Sequence, residues 1–373
     1  MTLNISRVDT FVFRAPIETP VQTSFGIMRD RPAVFVRITD AEGAEGWGEV
    51  WCNFPTVGAE HRARLVDSVF APLLVGKAFA SPEIAYRALS SQTEVLAIQA
   101  AEPGPIAQCV AGLDIALWDL HAKRLGQPLW KLLGGESAAV RVYASGLNPT
   151  APEKLAAEHL AEGYRAFKLK IGFGLDRDRA NLKALRSVIG DLPLMVDANQ
   201  AWDLETAVES AKALDEFQLV WLEEPLRADR PLGEWQSLAS RTTIKLAGGE
   251  NMSSFGAFEA ALESHAFGVL QPDIAKWGGF SGCLTVAKEI LSRRTRYCPH
   301  YLGAGVGLLA SAHLLAAVGG DGLLEVDANP NPLRSLTCGS LGHVEEGFAA
   351  LTADAGLGLS MDLATLRDYA VKH

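Results

Sequence analysis

The sequence predicts an α/β protein in which a barrel of eight parallel strands is covered by a smaller α+β domain. The main observation is a series of charged residues that follow short apolar runs at nearly regular intervals. From Lys170 to Glu325 the steps between them are 27, 26, 27, 23, 27 and 25 residues. A strand, a helix and their two loops take about 25 to 35 residues. Each charged residue therefore marks one strand–helix unit of a barrel.

Short apolar runs bounded by Asn, Pro or Gly are typical of buried parallel strands. Such runs occur at residues 140–145, 166–171, 194–197, 219–223, 244–247, 268–270, 296–298 and 323–326. The charged residues at or near their ends are Lys168, Lys170, Asp197, Glu223, Glu250, Asp273, His300 and Glu325. In a barrel the carboxyl ends of all strands open on one face, where active sites lie. These polar groups are therefore expected to point into one cavity.

The first part of the chain has strands followed by helices instead of alternating with them. Two apolar segments, 33–39 and 45–51, flank a turn at 40–43 and predict a small antiparallel meander. Helical patterns follow at residues 60–74, 82–98 and 105–125. This order is typical of an α+β domain. We expect a capping domain at residues 1–128, a catalytic barrel at 129–339, and a C-terminal segment, 340–373, that returns to the capping domain.

Composition limits the possible partners. With 373 residues, 48% of them apolar, the chain is long enough for a barrel of about 250 residues and one further domain. A net charge of −10 argues against a nucleic-acid surface, which needs a basic face. The five cysteines form no Cys-x-x-Cys pair, which predicts reduced thiols and a cytoplasmic protein. No signal-peptide pattern is evident, and the longest apolar stretch, 308–318, is too short for a bilayer, so no membrane partner is expected.

Asp197, Glu223 and Glu250 end three consecutive predicted strands. Three converging carboxylates repel each other unless a cation lies between them, and hard oxygen ligands suit Mg2+. Any one of them could instead cap the following helix, but that explanation is weaker for all three at matching positions. The sequence therefore predicts an Mg2+ site, with Asn199 and Glu224 beside it as candidates for contacts with substrate or water.

Lys168, Leu169 and Lys170 form an alternating motif. In a strand, residues two apart share a face, so both ammonium groups would point into the barrel mouth. Two solvated lysines on a surface strand are the alternative, but the apolar neighbours favour a buried strand. Because two close ammonium groups repel, we expect the pKa of one lysine to be lowered, which makes a neutral amine available as a base.

Asp273 and His300 end the next two predicted strands. On adjacent strands a carboxylate can contact one imidazole nitrogen, which fixes the tautomer and makes the other nitrogen more basic. A lone histidine is more often structural, but an aspartate one strand earlier favours a catalytic pair. Glu325 could cap a helix or pair with a lysine, and its place in the series favours a functional role.

Residues of the capping segment are candidates for contacting the distal part of a substrate. The polar candidates are Arg29, Asp30 and Asn53, and the aromatic candidates are Phe25, Trp47 and Trp51. The polar group could meet a distal carboxylate or hydroxyls, whereas the aromatic group could line a pocket for an aromatic acid. Arg29 could equally be a solvated loop charge.

The segment 303–308 looks like a dinucleotide-binding loop but has Leu308 where the third glycine is needed. It also follows the seventh predicted strand, whereas the dinucleotide fingerprint belongs to the first strand of its domain. We interpret it as a loop of small residues that leaves room for the substrate.

Taken together, these motifs resemble those of the enolase superfamily and, within it, of the mandelate racemase subgroup (mandelate racemase/muconate lactonizing enzyme-like). The resemblance is carried by Lys168-Leu169-Lys170, Asp197-Ala198-Asn199-Gln200, Glu223-Glu224-Pro225, Gly249-Glu250-Asn251, Gln271-Pro272-Asp273, His300 and Glu325. Asp119 and Leu132-Leu133-Gly134-Gly135, near the domain junction, also match. The resemblance covers nearly the whole chain, and no catalytic position departs from the pattern.

The resemblance implies an α+β capping domain on a (β/α)7β modified TIM barrel, a bound Mg2+, and removal of the proton α to a carboxylate through a metal-stabilised enediolate. Lys170 would be the base on one face of the substrate, and His300, oriented by Asp273, the acid or base on the other. Lys168 would lower the pKa of Lys170 and touch the carboxylate. Glu325 would hydrogen-bond a carboxylate oxygen from the side opposite the metal.

Within the subgroup we expect dehydration of an acid sugar, an aldonate or aldarate, to a 2-keto-3-deoxy acid; this expectation follows from the resemblance alone. Racemisation or epimerisation of a 2-hydroxy acid is the alternative, because two bases on opposite faces permit either outcome. A non-catalytic metal-binding protein is a more distant alternative, and none of the acid or base groups is lost here. The expected partners are a small-molecule carboxylate substrate and further copies of the chain in a homo-oligomer.

Overall fold

The computed structural model describes residues 2–373. The capping domain has the strands β1 (Leu3–Gln22), β2 (Ile27–Asp40), β3 (Glu45–Val50) and β4 (Ala78–Phe79). Its helices are α1 (Gly58–Leu65), α2 (Ala71–Leu74), α3 (Pro82–Gln99) and α4 (Pro103–Arg124). A π-helical turn, Val66–Phe70, joins α1 to α2. The predicted helix at 60–74 is therefore two helices with a π turn between them.

The strands β1, β2 and β3 form the antiparallel meander that the sequence predicts. Helix α4 lies directly against β3, because glycines remove the side chains that would separate them. A Cβ atom at Gly46 would lie 2.1 Å from the carbonyl oxygen of Ala116, and one at Gly48 would lie 2.0 Å from that of Gly112. A side chain at either position would push the helix off the sheet.

The barrel follows a short helix, α5 (Leu129–Leu132). Its strands are β5 (Ala139–Leu147), β6 (Phe167–Lys170), β7 (Leu194–Asp197), β8 (Leu222–Glu223), β9 (Leu246–Gly248), β10 (Val269–Leu270), β11 (Arg296–Tyr297) and β12 (Leu324–Asp327). The helices between them are α6 (Pro152–Ala161), α7 (Leu175–Ile189), α8 (Leu204–Leu214), α9 (Leu232–Ala239), α10 (Phe255–Ser264), α11 (Gly279–Ser292) and α12 (Gly305–Val318).

The barrel strands follow one another in chain order from β5 to β11, and β12 returns to pair with β5. All of these pairings are parallel. Within residues 2–373, seven helices alternate with these eight strands, so the predicted fold class, a (β/α)7β barrel with an α+β capping domain, is confirmed. Most strands are shorter than the apolar runs that predicted them.

A layer of buried side chains fills the barrel interior below the charged residues. Its members are Tyr143, Ala166, Met195, Trp221, Ala247, Val269 and Cys298. Lys168, Asp197 and Glu223 each lie two residues after a member of this layer and therefore share its face of the strand. This apolar layer thus excludes water from the inner side of the charged groups.

After β12 the chain forms α13 (Pro332–Thr337), β13 (Phe348–Ala350) and β14 (Ala370–Val371). β13 pairs antiparallel with β5 of the barrel, whereas β14 pairs with β1 of the capping sheet, Val371 opposite Val12. The C-terminal segment therefore contacts both domains.

The five cysteines are free and buried. In the part of the chain that the structure describes, residues 2–373, no helix combines the length and the apolar character needed to cross a bilayer.

Candidate active site

A cavity of about 260 Å³ lies between the carboxyl ends of the barrel strands and the capping domain. The capping domain lines it with Thr23, Phe25, Trp51, Asn53 and Phe54, and the barrel with Lys170, Asn199, Gln200, Glu250, Asn251, Lys276, His300 and Leu302. The predicted residues Lys168, Asp197, Glu223, Asp273 and Glu325 are buried behind this lining. A larger cavity of about 790 Å³, between α6 and α13, holds none of the predicted site residues.

Strand register places the two lysines next to the carboxylates. Lys170 on β6 and Asp197 on β7 are direct cross-strand partners, as are Asp197 and Glu223 on β8. Lys170 Nζ lies 2.5 Å from Asp197 Oδ2. Lys168 lies deeper, with Nζ 2.6 Å from Glu223 Oε1 and 2.7 Å from Glu325 Oε1. Both ammonium groups are therefore inside the barrel and ion-paired.

These ion pairs overturn the expected pKa of the lysines. Burial is the largest influence and lowers the pKa of Lys170, and Lys168 lowers it further, but the charge and hydrogen bond of Asp197 together with the charge of Glu223 raise it, so the net shift is upward. Burial also lowers the pKa of Lys168, and Glu223 and Glu325 together raise it well above its usual value. The expectation of a lysine with a lowered pKa is therefore wrong for this arrangement, because carboxylate attraction exceeds ammonium repulsion.

His300 follows β11 and has a carboxylate on each side of its ring. Nδ1 lies 2.7 Å from Asp273 Oδ2, and Nε2 lies 2.9 Å from Glu250 Oε2. The other oxygen of Asp273 accepts a hydrogen bond from the Ala275 N–H at 2.8 Å, which fixes the carboxylate. Burial lowers the pKa of His300, but Glu250, Glu325 and the hydrogen bond with Asp273 raise it well above its usual value. These carboxylates therefore favour the doubly protonated imidazolium form of His300 in this arrangement.

Glu325, on β12, is enclosed by donors. Oε1 accepts a hydrogen bond from Ser145 Oγ at 2.5 Å, and Oε2 accepts one from the Tyr301 N–H at 3.0 Å. Burial raises the pKa of Glu325, but Lys168 and His300 lower it to about 2. An ionised carboxylate only accepts hydrogen bonds. The hydrogen bond to a substrate carboxylate oxygen, which the resemblance implies, stays a prediction and requires a proton shared between Glu325 and the substrate.

The three predicted metal ligands are each held by a protein cation. Asp197 is paired with Lys170, Glu223 with Lys168, and Glu250 with Lys276 at 2.9 Å as well as with His300. Within residues 2–373, no three His, Cys, Asp or Glu side chains surround a common point as metal ligands. The expected convergence of the three carboxylates is therefore not observed with the side chains in these positions.

The chemistry of the donor set nevertheless fits a divalent cation. Burial raises the pKa of Glu223 to about 7, and burial together with Glu250 and Asp197 raises that of Glu224 well above its usual value. Glu224 Oε2 and Asn199 Oδ1 are buried and have no hydrogen-bond partner among the described residues. These are all hard oxygen donors, and additional positive charge would stabilise them. Residues 197, 223 and 250 could therefore hold Mg2+ if their side chains turned from the lysines towards it.

The predicted substrate contacts divide into two groups. Phe25 is 60% exposed and lines the cavity with its ring 5.2 Å from that of Phe54. Trp51 and Asn53 also line it. Arg29, Asp30 and Trp47 do not line the cavity, and for Arg29 this agrees with the alternative of a solvated loop charge. On β2 the residue before Arg29 is the buried one, so Arg29 faces solvent; Asp30 pairs with Arg14, and Trp47 is buried against Phe11.

Sequence reasoning missed Lys276 and gave no role to Gln271, which it quoted only as part of a motif. Lys276 Nζ contacts Glu250 Oε1 and lies 4.8 Å above the Trp51 ring, so it joins the barrel wall to the capping domain. Gln271 Nε2 donates to Glu223 Oε2 at 2.6 Å. One signal was present, since Lys276 is the single charged residue between Asp273 and Lys288.

The small-residue segment 303–308 does not make room for substrate. A Cβ atom at Gly303 or Gly307 would lie 2.3 Å from the Tyr301 hydroxyl oxygen, and one at Gly305 would lie 2.2 Å from Cys338 N. The glycines admit the Tyr301 ring and the end of α13, so the interpretation as substrate space is wrong.

Comparisons with known proteins agree with this architecture. Residues 7–134 match the family model of the mandelate racemase/muconate lactonizing enzyme N-terminal domain, and residues 152–365 match the enolase C-terminal domain-like model. A mandelate racemase/muconate lactonizing enzyme from Bordetella bronchiseptica RB50 is similar in structure, with a TM-score of 0.94 and 55% identity over 99% of this chain and 100% of that one. A racemase from Streptomyces coelicolor A3(2), solved with bound magnesium, has a TM-score of 0.89 and 30% identity over 98% and 100%.

Two related proteins are cycloisomerases by name. A 3,6-anhydro-alpha-L-galactonate cycloisomerase from Streptomyces coelicolor is 35% identical over 76% of this chain and 78% of its own length. A D-galactarolactone cycloisomerase from Agrobacterium fabrum is 29% identical over 98% of this chain and 99% of its own. Other relatives are dehydratases and racemases, so the homologues are enzymes of several reaction classes.

Proposed function

Because this chain belongs to the mandelate racemase/muconate lactonizing enzyme group of the enolase superfamily, we propose that it removes the proton α to the carboxylate of an acid sugar and expels the β-hydroxyl. The product is a 2-keto-3-deoxy acid. One observation carries the proposal: Lys170 and His300 line one cavity from the second and seventh strands of the barrel. A base and an acid on separate walls can act on two neighbouring carbons of one substrate.

Lys170 is the proposed base. Its Nζ faces the cavity but is held by Asp197, whose charge raises the pKa of the amine. If Asp197, Glu223 and Glu250 hold Mg2+, the ion supplies positive charge that offsets the charge developing on the substrate carboxylate. Lys170 would then lose the ion pair with Asp197, which raises its pKa, and could accept the α-proton.

His300 is the proposed acid. Asp273 fixes its ring through Nδ1, and the Nε2 proton, which points to Glu250 at 2.9 Å, would become available to the substrate if Glu250 turned towards Mg2+. As the α-proton moves to Lys170, its electron pair forms a carbon–carbon double bond and the β-carbon–oxygen bond breaks. The hydroxyl takes the proton of His300 and leaves as water, and the resulting enol tautomerises to the keto acid.

The test is a screen of mono- and diacid sugars with Mg2+, with detection of 2-keto acid. The expected result is turnover of at least one sugar acid that requires the metal and is lost in the Lys170→Ala and His300→Asn variants. If no sugar acid reacts but a 2-hydroxy acid exchanges its α-proton in D2O, dehydration is refuted and racemisation is supported.

Cycloisomerisation is a second candidate, favoured by the names of the two relatives that cover 76% and 98% of this chain. The same base would remove the α-proton, but the leaving group would be a ring or lactone oxygen that stays attached to the product. No water is then released, and the product has the mass of the substrate. Mass spectrometry of the product formed from anhydro or lactone forms of sugar acids separates this reaction from dehydration.

A further inference from the structure

The backbone that follows His300 is held by side chains from both domains. From the barrel, Glu325 accepts from the Tyr301 N–H at 3.0 Å, and Asn331 Nδ2 donates to the Gly303 carbonyl at 2.9 Å. From the capping domain, Asn53 Nδ2 donates to the Leu302 carbonyl at 2.5 Å. Glu49 accepts from the Ala304 N–H at 2.6 Å. Half of these restraints therefore come from outside the barrel.

Glu49 also supplies the cap that helix α12 lacks. The residue before this helix, Ala304, offers no side-chain hydrogen bond to its first turn. The buried Glu49 carboxylate replaces it: Oε1 accepts from Ala304 N–H, and Oε2 accepts from Gly307 N–H at 2.9 Å. Free N–H groups and the dipole at a helix N-terminus both favour such a carboxylate. A capping-domain residue thus sets the start of a barrel helix.

The packing around this carboxylate leaves little room for adjustment. A Cβ atom at Gly303 would lie 2.8 Å from Glu49 Oε1 and 2.3 Å from the Tyr301 hydroxyl oxygen. Tyr301 is the residue directly after His300. A displacement of the Glu49 carboxylate would therefore shift the backbone that follows His300.

We infer that Glu49 is a positioning residue for His300: from the capping domain it fixes the backbone that carries the imidazole and so aligns the ring between Asp273 and the cavity. Glu49 does not line the cavity and acts only through this backbone. The inference rests on the proposed role of His300 as the acid.

The structure offers a matched control in Asp114 on α4. This capping-domain carboxylate is also buried and also bonds near the start of a barrel helix, accepting from the Ser281 N–H at 2.9 Å and from Ser281 Oγ at 2.6 Å. Its contacts lie on α11, which does not follow His300. Asp114→Asn therefore removes a comparable bridge between the domains without touching the histidine backbone.

Hydrogen exchange of the free protein tests the restraint without any substrate. In Glu49→Gln, amides in residues 300–308 should exchange at least about tenfold faster, because the amide nitrogen that replaces one oxygen cannot accept a backbone N–H. In Asp114→Asn the same segment should be unchanged, and exchange should rise around residue 281 instead. Unchanged exchange of residues 300–308 in Glu49→Gln would overturn the inference. Glu49→Asp, which keeps the charge but shortens the side chain, repeats the test if the first variant folds poorly.

Kinetics then separate positioning from general stability. Glu49→Gln should form keto acid about 10- to 100-fold more slowly, because small misplacements of a catalytic group have effects of this size. Lys170-dependent α-proton exchange and KM should stay within about twofold of wild type. Equal losses of exchange and product formation would mean a merely structural role and would contradict the inference. Wild-type inactivity on every acid would refute the proposed function, but the hydrogen-exchange result would still decide the role of Glu49.

Discussion

The barrel and the capping domain build the cavity in different ways. The barrel supplies the ionisable groups of the proposed chemistry from the ends of paired strands, where register fixes their neighbours. The capping domain contributes Thr23, Phe25, Trp51, Asn53 and Phe54, which lie at or beyond the strand ends of its meander. Within the cavity, the residues proposed to react therefore come from the barrel, and the capping domain supplies residues expected to fit the substrate. Substitutions of the ionisable barrel residues that line the cavity should change kcat, and substitutions of the capping residues that line it should change KM.

Lys170→Ala should have the largest effect. Loss of a positioned base costs about 10²- to 10⁴-fold in rate, and Lys170 is the amine that lines the cavity beside Asp197. Steady-state kinetics should show this loss in kcat with little change in KM. Activity within tenfold of wild type would mean that another group is the base.

Glu250→Gln should weaken Mg2+ binding by at least about tenfold, since a neutral amide is a poorer ligand for a hard cation than a carboxylate. Isothermal titration calorimetry with MgCl2 measures this Kd directly. Glu234→Gln, on the outer helix α9, is the control and should leave the Kd unchanged. Equal affinity in Glu250→Gln and wild type would remove Glu250 from the proposed site.

The sequence predicts the barrel well because one physical pattern, a charge at each strand end, repeats at the length of a strand–helix unit. Lys170 and His300 belong to that pattern, and they do line one cavity. The lysine pKa was misjudged because the cross-strand pairing of Lys170 with Asp197 depends on register, which the sequence does not specify. Arg29 and Trp47, which do not line the cavity, could not be separated from Phe25 and Trp51 on sequence, because the capping segments have no comparable repeat. Lys276 was missed because it lies beyond a strand end, three residues after Asp273.

The free energy of unfolding should depend on pH through Asp114, which joins the capping domain to the barrel. Burial raises its pKa to about 8, although hydrogen bonds from Ser281 lower it; the unfolded chain has a pKa of about 3.9. Between these two pKa values the folded state binds a proton at Asp114 that the unfolded chain does not bind. The contribution of this group to the free energy of unfolding is therefore fully present below about pH 4 and is lost as the pH rises towards 8. Urea unfolding at pH 5 and pH 8 should show Asp114→Asn gaining stability relative to wild type at the higher pH. A difference between the two proteins that does not change with pH would contradict this.

The smallest effects should come from two neighbouring capping residues. Phe25→Ala should raise KM a few-fold with kcat nearly unchanged. The ring lines the cavity, but it has no group that could give or take a proton in the proposed reaction. Arg29→Ala, four residues later, should change neither constant beyond about twofold, because its side chain faces solvent. An effect of Arg29→Ala as large as that of Phe25→Ala would show that the cavity extends further than its described lining.

The central claim is that Lys170 and His300 act on one substrate from two sides of the cavity. Its most direct test is α-proton exchange, followed by NMR in D2O with Mg2+ and an acid sugar that the wild-type enzyme turns over. His300→Asn should incorporate deuterium at the α-carbon through Lys170 while forming no keto acid, and Lys170→Ala should do neither. Exchange that persists in Lys170→Ala, or keto acid formed by His300→Asn at the wild-type rate, would contradict the account.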